Sequence, residues 1–372
     1  MKLLTYWLLS ISCLALPNTI WSQCNGSIDL CSKPYNEVAF LTTHNAYNAD
    51  DQGFNFPNQN FGITQQLNDG VRGLMLDVYD LWGTPSVYHG TSLLGSEPLS
   101  SNLNEIKVFL DNNPTEIVTI ILECYVDANT IESELNNSGL SSYLYNKPIG
   151  QPWSTLQEMI TNDTRLVIFT DVDDASPSQS WYHYVWDYAV ETHYSVNSSN
   201  SFTNDYNRGT PTNDLFIFNH FVTNAAIGTG NPSEAAIVNE YNFLMDRIQG
   251  HFNEYAKFPN FITLDFHDLG QGKRVVDSLN SSGFVLNIQE AFFSEISISP
   301  NPSDGIITVK GLPSSDSILF EVFTLNGKLK RSFHTKGEAL VQIDLKGLHK
   351  NQYILRITDS SNTGYSHRIQ LN

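Results

Sequence analysis

From Lys33 to about Ser282 the chain alternates short apolar runs with amphipathic stretches. The apolar runs are VAFLTTH, VRGLMLDVY, SVYHG, EIVTIILECYV, RLVIFTDV, DLFIFNHF and FITLDFHD. Most are apolar almost throughout, as strands buried on both faces must be. Between several of them lie helix candidates, SSNLNEIKVFLDN, STLQEMIT and the long SEAAIVNEYNFLMDRIQGHFNEYAK. Ser154 reads as an N-cap and Asn113–Pro114 as a helix stop. Trp181, Tyr182, Trp186 and Tyr188 read as a helix packing its aromatics. Alternating βα units predict a parallel α/β fold. Seven or eight strands in ~250 residues favour a closed or nearly closed barrel over a doubly wound sheet. No glycine-rich dinucleotide loop follows the first run.

Residues 296–372 follow a different pattern. ISISPNPSDG, IITVKG, ILFEVFTLNGKLKRSF, ALVQIDL, YILRITD and HRIQLN alternate apolar and polar positions, and Asn326–Gly327 is a hairpin turn signal. This predicts a small antiparallel β-sandwich. Charge marks the same boundary. Residues 297–372 hold nine Lys/Arg against six Asp/Glu, a net of +3, so the preceding part carries −22 of a chain whose total is −19. Such a reversal separates two units. The overall negative charge argues against nucleic acid and against charge-driven adhesion to an anionic membrane.

The start, MKLLTYWLLSISCLALPNTIWSQ, reads as a signal peptide over residues 1–22, with Lys2 as its positive region and Ser22 at the cleavage site. The alternative is a membrane anchor, for which the apolar stretch is short. The expected organisation is therefore a signal peptide at 1–22, a barrel at 23–290 and a sandwich at 296–372. Export makes a disulfide between Cys24 and Cys31 reasonable. Cys124 reads as an inert buried thiol, having no basic neighbour to lower its pKa.

Several runs end in ionisable groups, at the carboxyl ends where parallel barrels place their active sites. Strand periodicity puts Val38, Phe40, Thr42 and His44 on one face, and Gly73, Met75 and Asp77 on another. It likewise groups Val87 with His89, Thr119 and Ile121 with Glu123, and Thr263 with Asp265 and His267. If these faces point inward, His44, Asp77, His89, Glu123 and Asp265 converge at one barrel mouth, with Asn45 in the adjoining turn. A lone strand-end histidine is usually structural, but five polar groups ending five successive runs argue for a site. Arg72 reads as a salt-bridge brace. Two histidines and several oxygen ligands suit acid/base chemistry beside a cation.

These residues resemble the phosphatidylinositol-specific phospholipase C family, X-domain type, and most of all its secreted or plant-type phosphodiesterases. THNAYN, GVRGLMLDVYD, VYHG and TIILECYV are similar to its four ordered motifs, over roughly residues 33–285. The resemblance implies a distorted TIM-type (β/α) barrel. It implies His44 as general base for the inositol 2-hydroxyl and His89 as general acid for the leaving oxygen. Asp265 would orient His44, and Asn45, Asp77 and Glu123 fall on calcium-ligand positions. Met75 stands where calcium-dependent members usually carry a glutamate, so calcium is expected to bind weakly. The implied substrate is a phosphoinositide-type lipid or a soluble phosphodiester, met in transient contact with a membrane surface. The acidic run Thr170–Asp171–Val172–Asp173–Asp174 argues against polyphosphorylated headgroups. A glycerophosphodiester phosphodiesterase and a non-catalytic surface-binding barrel are the alternatives. SPNPSDG, a Gly-Lys turn and NQYILRIT resemble the type IX secretion sorting domain, which implies the secretion machinery as a partner and a secreted or cell-surface location. A binding sandwich is the alternative for this unit.

Overall fold

The computed structural model describes residues 23–224, 229–281, 296–312, 317–324, 328–336, 340–359 and 364–372. The leader at 1–22, the Asn326–Gly327 turn and the junction at 290–296, except residue 296, lie outside those residues. Eight parallel strands form the first unit: β1 (Phe40–Thr43), β2 (Gly73–Leu81), β3 (Val118–Cys124), β4 (Leu166–Thr170), β5 (Tyr182–Tyr184), β6 (Ala189–Thr192), β7 (Leu215–Asn219) and β8 (Phe261–Leu264). Their order is β5-β4-β3-β2-β1-β8-β7-β6, every pair parallel. This is the cyclic order of a (β/α) barrel, opened between β5 and β6, where no ladder is formed among the described residues. The free edge of β6 pairs instead with an antiparallel strand, Tyr206–Gly209.

The strand period sorts the core into two layers. Phe40, Ile121, Val167, Phe169, Leu215, Ile217 and Phe261 pack together inside the barrel, over a floor of Tyr35, Tyr145 and Trp153. The alternate residues Leu41, Leu74, Leu76, Ile120, Leu122, Ile168, Phe216, Phe218 and Ile262 pack outward under the helices. Each strand is therefore buried on both faces, which is why these runs read as continuously apolar.

The helices are α1 (Ile63–Asn68), α2 (Leu99–Asn112), α3 (Ala128–Ser138), α4 (Leu156–Thr161), α5 (Val185–Tyr188), α6 (Pro232–Val238), α7 (Tyr241–Tyr255) and α8 (Gly272–Asn280). The long 233–257 candidate is two helices, broken at Asn239–Glu240. The α4 cap is Thr155, one residue beyond Ser154, in a reciprocal capping box with Glu158. The aromatic stretch 181–188 is not one helix. Tyr182 belongs to β5, and only Val185–Tyr188 is helical, filling the open seam. Arg72 braces the barrel as its sequence suggested, donating to Glu116 (2.7 Å) and to the carbonyls of Leu67 and Val71. Cys24 and Cys31 form a disulfide. Cys124 is buried, and burial raises its thiol pKa.

Three histidines are sealed into this scaffold. His183 accepts from the Lys147 amide at Nε2 and donates to the Ile168 carbonyl at Nδ1, a pattern that only neutral imidazole makes. Burial pushes His183 and His251 down to about 4 and holds His220 well below its ordinary value. Because these native pKa values are depressed, the unfolded chain takes up protons first as pH falls. Stability present above pH ~6.5 is then lost down to about pH 4. Between pH 7 and 5, His183 and His251 together are expected to cost ~3–4 kcal/mol, partly offset by Glu97, Glu123 and Asp171, whose raised carboxyls act in the opposite sense. The urea midpoint of the barrel at the two pH values measures the net change, and an equal midpoint would contradict it.

Every ladder of the second unit among the described residues is antiparallel. One sheet has the order β9-β10-β13, from β9 (Ser297–Ser299), β10 (Ile306–Lys310) and β13 (Leu340–Asp344). The other is β12-β11-β14-β15, from β11 (Ile318–Thr324), β12 (Leu329–Thr335), β14 (Gln352–Asp359) and β15 (Gly364–Gln370). Ile307, Val309, Phe320, Val322, Ile343, Leu355 and Ile357 share one core between the sheets.

Candidate active site

The barrel mouth is built from strand ends. β1 delivers His44, and Asn45 follows in a left-handed conformation (φ 46°) that asparagine tolerates. Asp77 on β2 and Glu123 on β3 are register partners in the parallel ladder, so both side chains leave the sheet on the same face. Asp265 follows β8. His89 arrives by another route. β2 runs past the mouth, turns at Trp82–Gly83 and returns as an antiparallel strand, Thr84–Val87, in which Val87 pairs with Val78. The SVYHG run is therefore no barrel strand, and its histidine comes back to face Asp77.

Two histidine–carboxylate pairs result. His44 Nδ1 lies 2.9 Å from Asp265 Oδ1, and His89 Nδ1 lies 3.1 Å from Asp77 Oδ2. In each, the Nδ1–H donates to the carboxylate. The histidine side chains are 22% and 36% exposed, while their carboxylates are almost sealed. An amide network lies between the pairs, hydrogen-bonded to Asp265 and in contact with His89. Asn58 donates to Asp265 Oδ2 (3.1 Å) and accepts from Asn45 (3.2 Å) and Asn48 (2.7 Å), and the Asn45 amide lies 3.3 Å from His89 Nδ1. Gln59 holds the His44 and Leu264 carbonyls from beneath.

His44, Asn45, Asp77, His89 and Glu123 line one cavity of about 420 Å³. Asp265 stands behind His44. The cavity also takes in residues that sequence reasoning missed. Phe221 stacks on the His44 ring, with centroids 3.9 Å apart and planes 7° apart. On the β6 side, Arg208 pairs with Glu191 (2.5 Å) and lies over Trp186 and Tyr194 at 4.5 and 4.8 Å. Arg208 is the only Lys or Arg lining this cavity among the described residues. Glu191 could have been found, as a lone carboxylate inside the apolar AVET run. Arg208 lies in a polar loop sequence that carries no signal.

Of the acidic run, only Asp171 reaches the cavity, where burial raises its pKa and it accepts from the Cys124 amide. Asp174 accepts from the amide of Ala128, the first residue of α3, a structural role.

Burial and then the negative charge of Asp77 raise Glu123, and Tyr125 donates to Glu123 Oε1 (2.6 Å). Two carboxylates that repel each other, next to an amide, form an oxygen donor set that suits a hard cation. Among the described residues, no group of three or more His, Cys, Asp or Glu side chains is placed to hold a metal ion. Met75 occupies the same face two residues before Asp77 and also lines the cavity. The donor types are those that calcium takes, two carboxylates and one amide, with few charges to hold an ion.

The family model described as PI-PLC X 1 matches residues 30–280, and the secretion system C-terminal sorting domain matches residues 297–372. A PI-PLC X domain-containing protein of Arabidopsis thaliana is 30% identical over 275 residues, covering 66% of this chain and 62% of the plant protein. The chain thus spans less than two thirds of that relative's length. PI-PLC X domain-containing protein 1 of Arthroderma benhamiae is 27% identical over 308 residues, 73% of this chain and 94% of the fungal one. Among solved structures, the phosphatidylinositol-specific phospholipase C of Listeria monocytogenes aligns with a TM-score of 0.47 at 17% identity, covering 68% of this chain and 96% of that one.

Proposed function

The chain belongs to the PI-PLC X-domain family, and from that premise we propose that it is an exported phosphodiesterase cleaving phosphatidylinositol or a related inositol phosphodiester. The observation that carries this reading is the pair of histidines, each held at Nδ1 by its own carboxylate, lining one cavity. Attack of a neighbouring hydroxyl on phosphorus needs a base on the nucleophile and an acid on the leaving oxygen.

His44 Nε2 takes the proton of the inositol 2-hydroxyl. The oxygen bonds to phosphorus, the phosphorus–glycerol oxygen bond breaks, and His89 Nε2 protonates the departing alkoxide. Asp265 and Asp77 hold the two rings and offset the positive charge each carries when protonated. Asn45, Asp77 and Glu123 are the residues that would hold calcium, which when bound would offset negative charge on the non-bridging phosphate oxygens. Arg208, on the far side of the mouth beside β6, supplies a fixed positive charge to the bound headgroup. The acidic lining otherwise disfavours headgroups with extra phosphates.

The same reading assigns residues 1–22 to a signal peptide, the barrel to catalysis and residues 296–372 to sorting, with the type IX machinery as partner and the cell surface or medium as destination. No helix among the described residues is long and apolar enough to cross a membrane.

The first product distinguishes this chemistry from other phosphodiesterases. A hydroxyl already beside phosphorus has a large effective-molarity advantage over water. Phosphorus NMR of early time points with phosphatidylinositol is expected to show the cyclic inositol phosphate. Direct release of phosphatidic acid, or of glycerol phosphate from a glycerophosphodiester, would overturn the proposal. No turnover of any phosphodiester would favour a binding protein.

A further inference from the structure

We propose that Arg247, which does not line the cavity, is a positioning residue for His44: by pinning the segment Asn219–His220–Phe221 it fixes the ring on which His44 stacks. The inference rests on the reading of His44 as the base.

Arg247 lies on α7, and its guanidinium is held between the rings of Phe202 and Phe218, each at 4.2 Å. No carboxylate forms an ion pair with it among the described residues. Its Nε is shut off from solvent without a hydrogen-bond partner, and burial pushes its pKa down to about 9. The two ring faces attract the guanidinium, which offsets part of the cost of burying it without a counter-charge. An unbranched apolar side chain would fill the slot with no charge to desolvate, if filling were all that the slot required.

What an apolar side chain could not do is donate. Arg247 Nη1 donates to the Asn219 carbonyl (2.8 Å) and to His220 Nδ1 (2.9 Å). His220 is suited to accept there, because its Nε2–H donates to the Val238 carbonyl (2.8 Å) and its ring is held neutral by burial and by Arg247 itself. The His220 amide donates to the Thr263 carbonyl of β8. The turn after β7 is thus anchored from α7, α6 and β8 at once. On its cavity side, the Asn219 amide donates to Glu191 Oε2 (3.0 Å) and to the Thr192 carbonyl (2.8 Å).

One residue beyond His220 stands Phe221, buried, with its face on His44. A single hydrogen bond to Asp265 leaves the imidazole able to rock about the Nδ1···Oδ1 line. A parallel ring against its face removes that freedom and sets where Nε2 points. Arg247 holds the turn, the turn holds Phe221, and Phe221 holds the plane of the base.

The test uses the full chain with Arg247→Met, Arg247→Lys and Phe221→Leu, each first checked for cooperative unfolding. His44 imidazole resonances are followed by NMR in the absence of substrate. Turnover is then measured on phosphatidylinositol. Arg247→Met and Phe221→Leu are expected to move the His44 ring protons downfield, out of the shielding of the stacked phenyl. Both should lower kcat by ~10- to 100-fold with KM unchanged, as small misplacements of a reacting group do. The double variant should lose no more than the worse single one, because both changes act through the same contact. Arg247→Lys must serve two acceptors from one ammonium and should show a smaller shift of the same sign, which decides the matter if the methionine protein does not fold. Wild-type His44 resonances and wild-type kcat in a folded Arg247 variant would reduce Arg247 to a strand-end cap and overturn the inference. The NMR arm needs no turnover, so an inert wild-type protein would count against the phosphodiesterase reading alone.

Discussion

Replacing His44 or His89 by alanine is expected to lower turnover of phosphatidylinositol by ~10²- to 10⁴-fold, the usual range for losing a general acid or base. The fold should survive either change. Both rings sit at the rim of the barrel mouth, partly exposed, and neither belongs to the barrel's hydrophobic layers. The two variants should differ in kind. A general acid matters in proportion to the basicity of the leaving oxygen, so an inositol phosphodiester of a nitrophenol should recover most of its cleavage rate in His89→Ala. The same substrate should not rescue His44→Ala, because the nucleophile still needs its proton removed. Near-wild-type turnover of the natural lipid in either variant would remove that histidine from the mechanism. Rescue of His44→Ala alone would exchange the two roles.

The chain delivers the two histidines by different routes, and that is where sequence reading reaches its limit. Runs such as TIILE and FITLD announce their strands and strand-end carboxylates, because burial on both faces demands unbroken apolar residues and a polar residue at the end stands out. β5 and β6 lack this property. They are three and four residues long, flank the seam, and carry tyrosines, a histidine and a glutamate in place of an aliphatic run. SVYHG has the apolar pattern of a strand, but parallel and antiparallel pairing are indistinguishable at four residues. The run therefore leads His89 to this mouth through an antiparallel return and not as the end of a barrel strand.

The same limit applies to contacts. Sequence period could bring Asp265 to His44, since both end strands that neighbour each other in the barrel. It could not pair Asp77 with His89, because that contact depends on the length of the hairpin between them. Nor could it find Phe221 or Arg208, whose positions are set by a turn after β7 and by an antiparallel strand that caps the open edge. Periodicity says which face a residue occupies; reach across a cavity is decided by connections whose geometry has no period.

Calcium is expected to bind weakly, and substituting Met75→Glu should tighten it by about tenfold, ligand charge being a main control on calcium affinity. Asp77 and Glu123 are partners across the β2–β3 ladder, and the Glu123 carboxyl is raised by burial and then by the charge of Asp77. A bound cation would relieve that repulsion. Two carboxylates and an amide nevertheless offer little to offset dehydration of the ion. Met75 shares the face of Asp77, pairs with Ile121 and lines the cavity, so a glutamate there would add a third carboxylate to the same space. Calorimetry on the inactive His44→Ala protein would read the affinity without turnover. Asp77→Asn should weaken the ion and also leave turnover low at saturating calcium, because Asp77 Oδ2 is engaged by His89. Full turnover in excess chelator, with no calcium heat in either protein, would sink the ion. Asp77 would then act through His89 alone, and Arg208 would stand as the only Lys or Arg lining the cavity among the described residues.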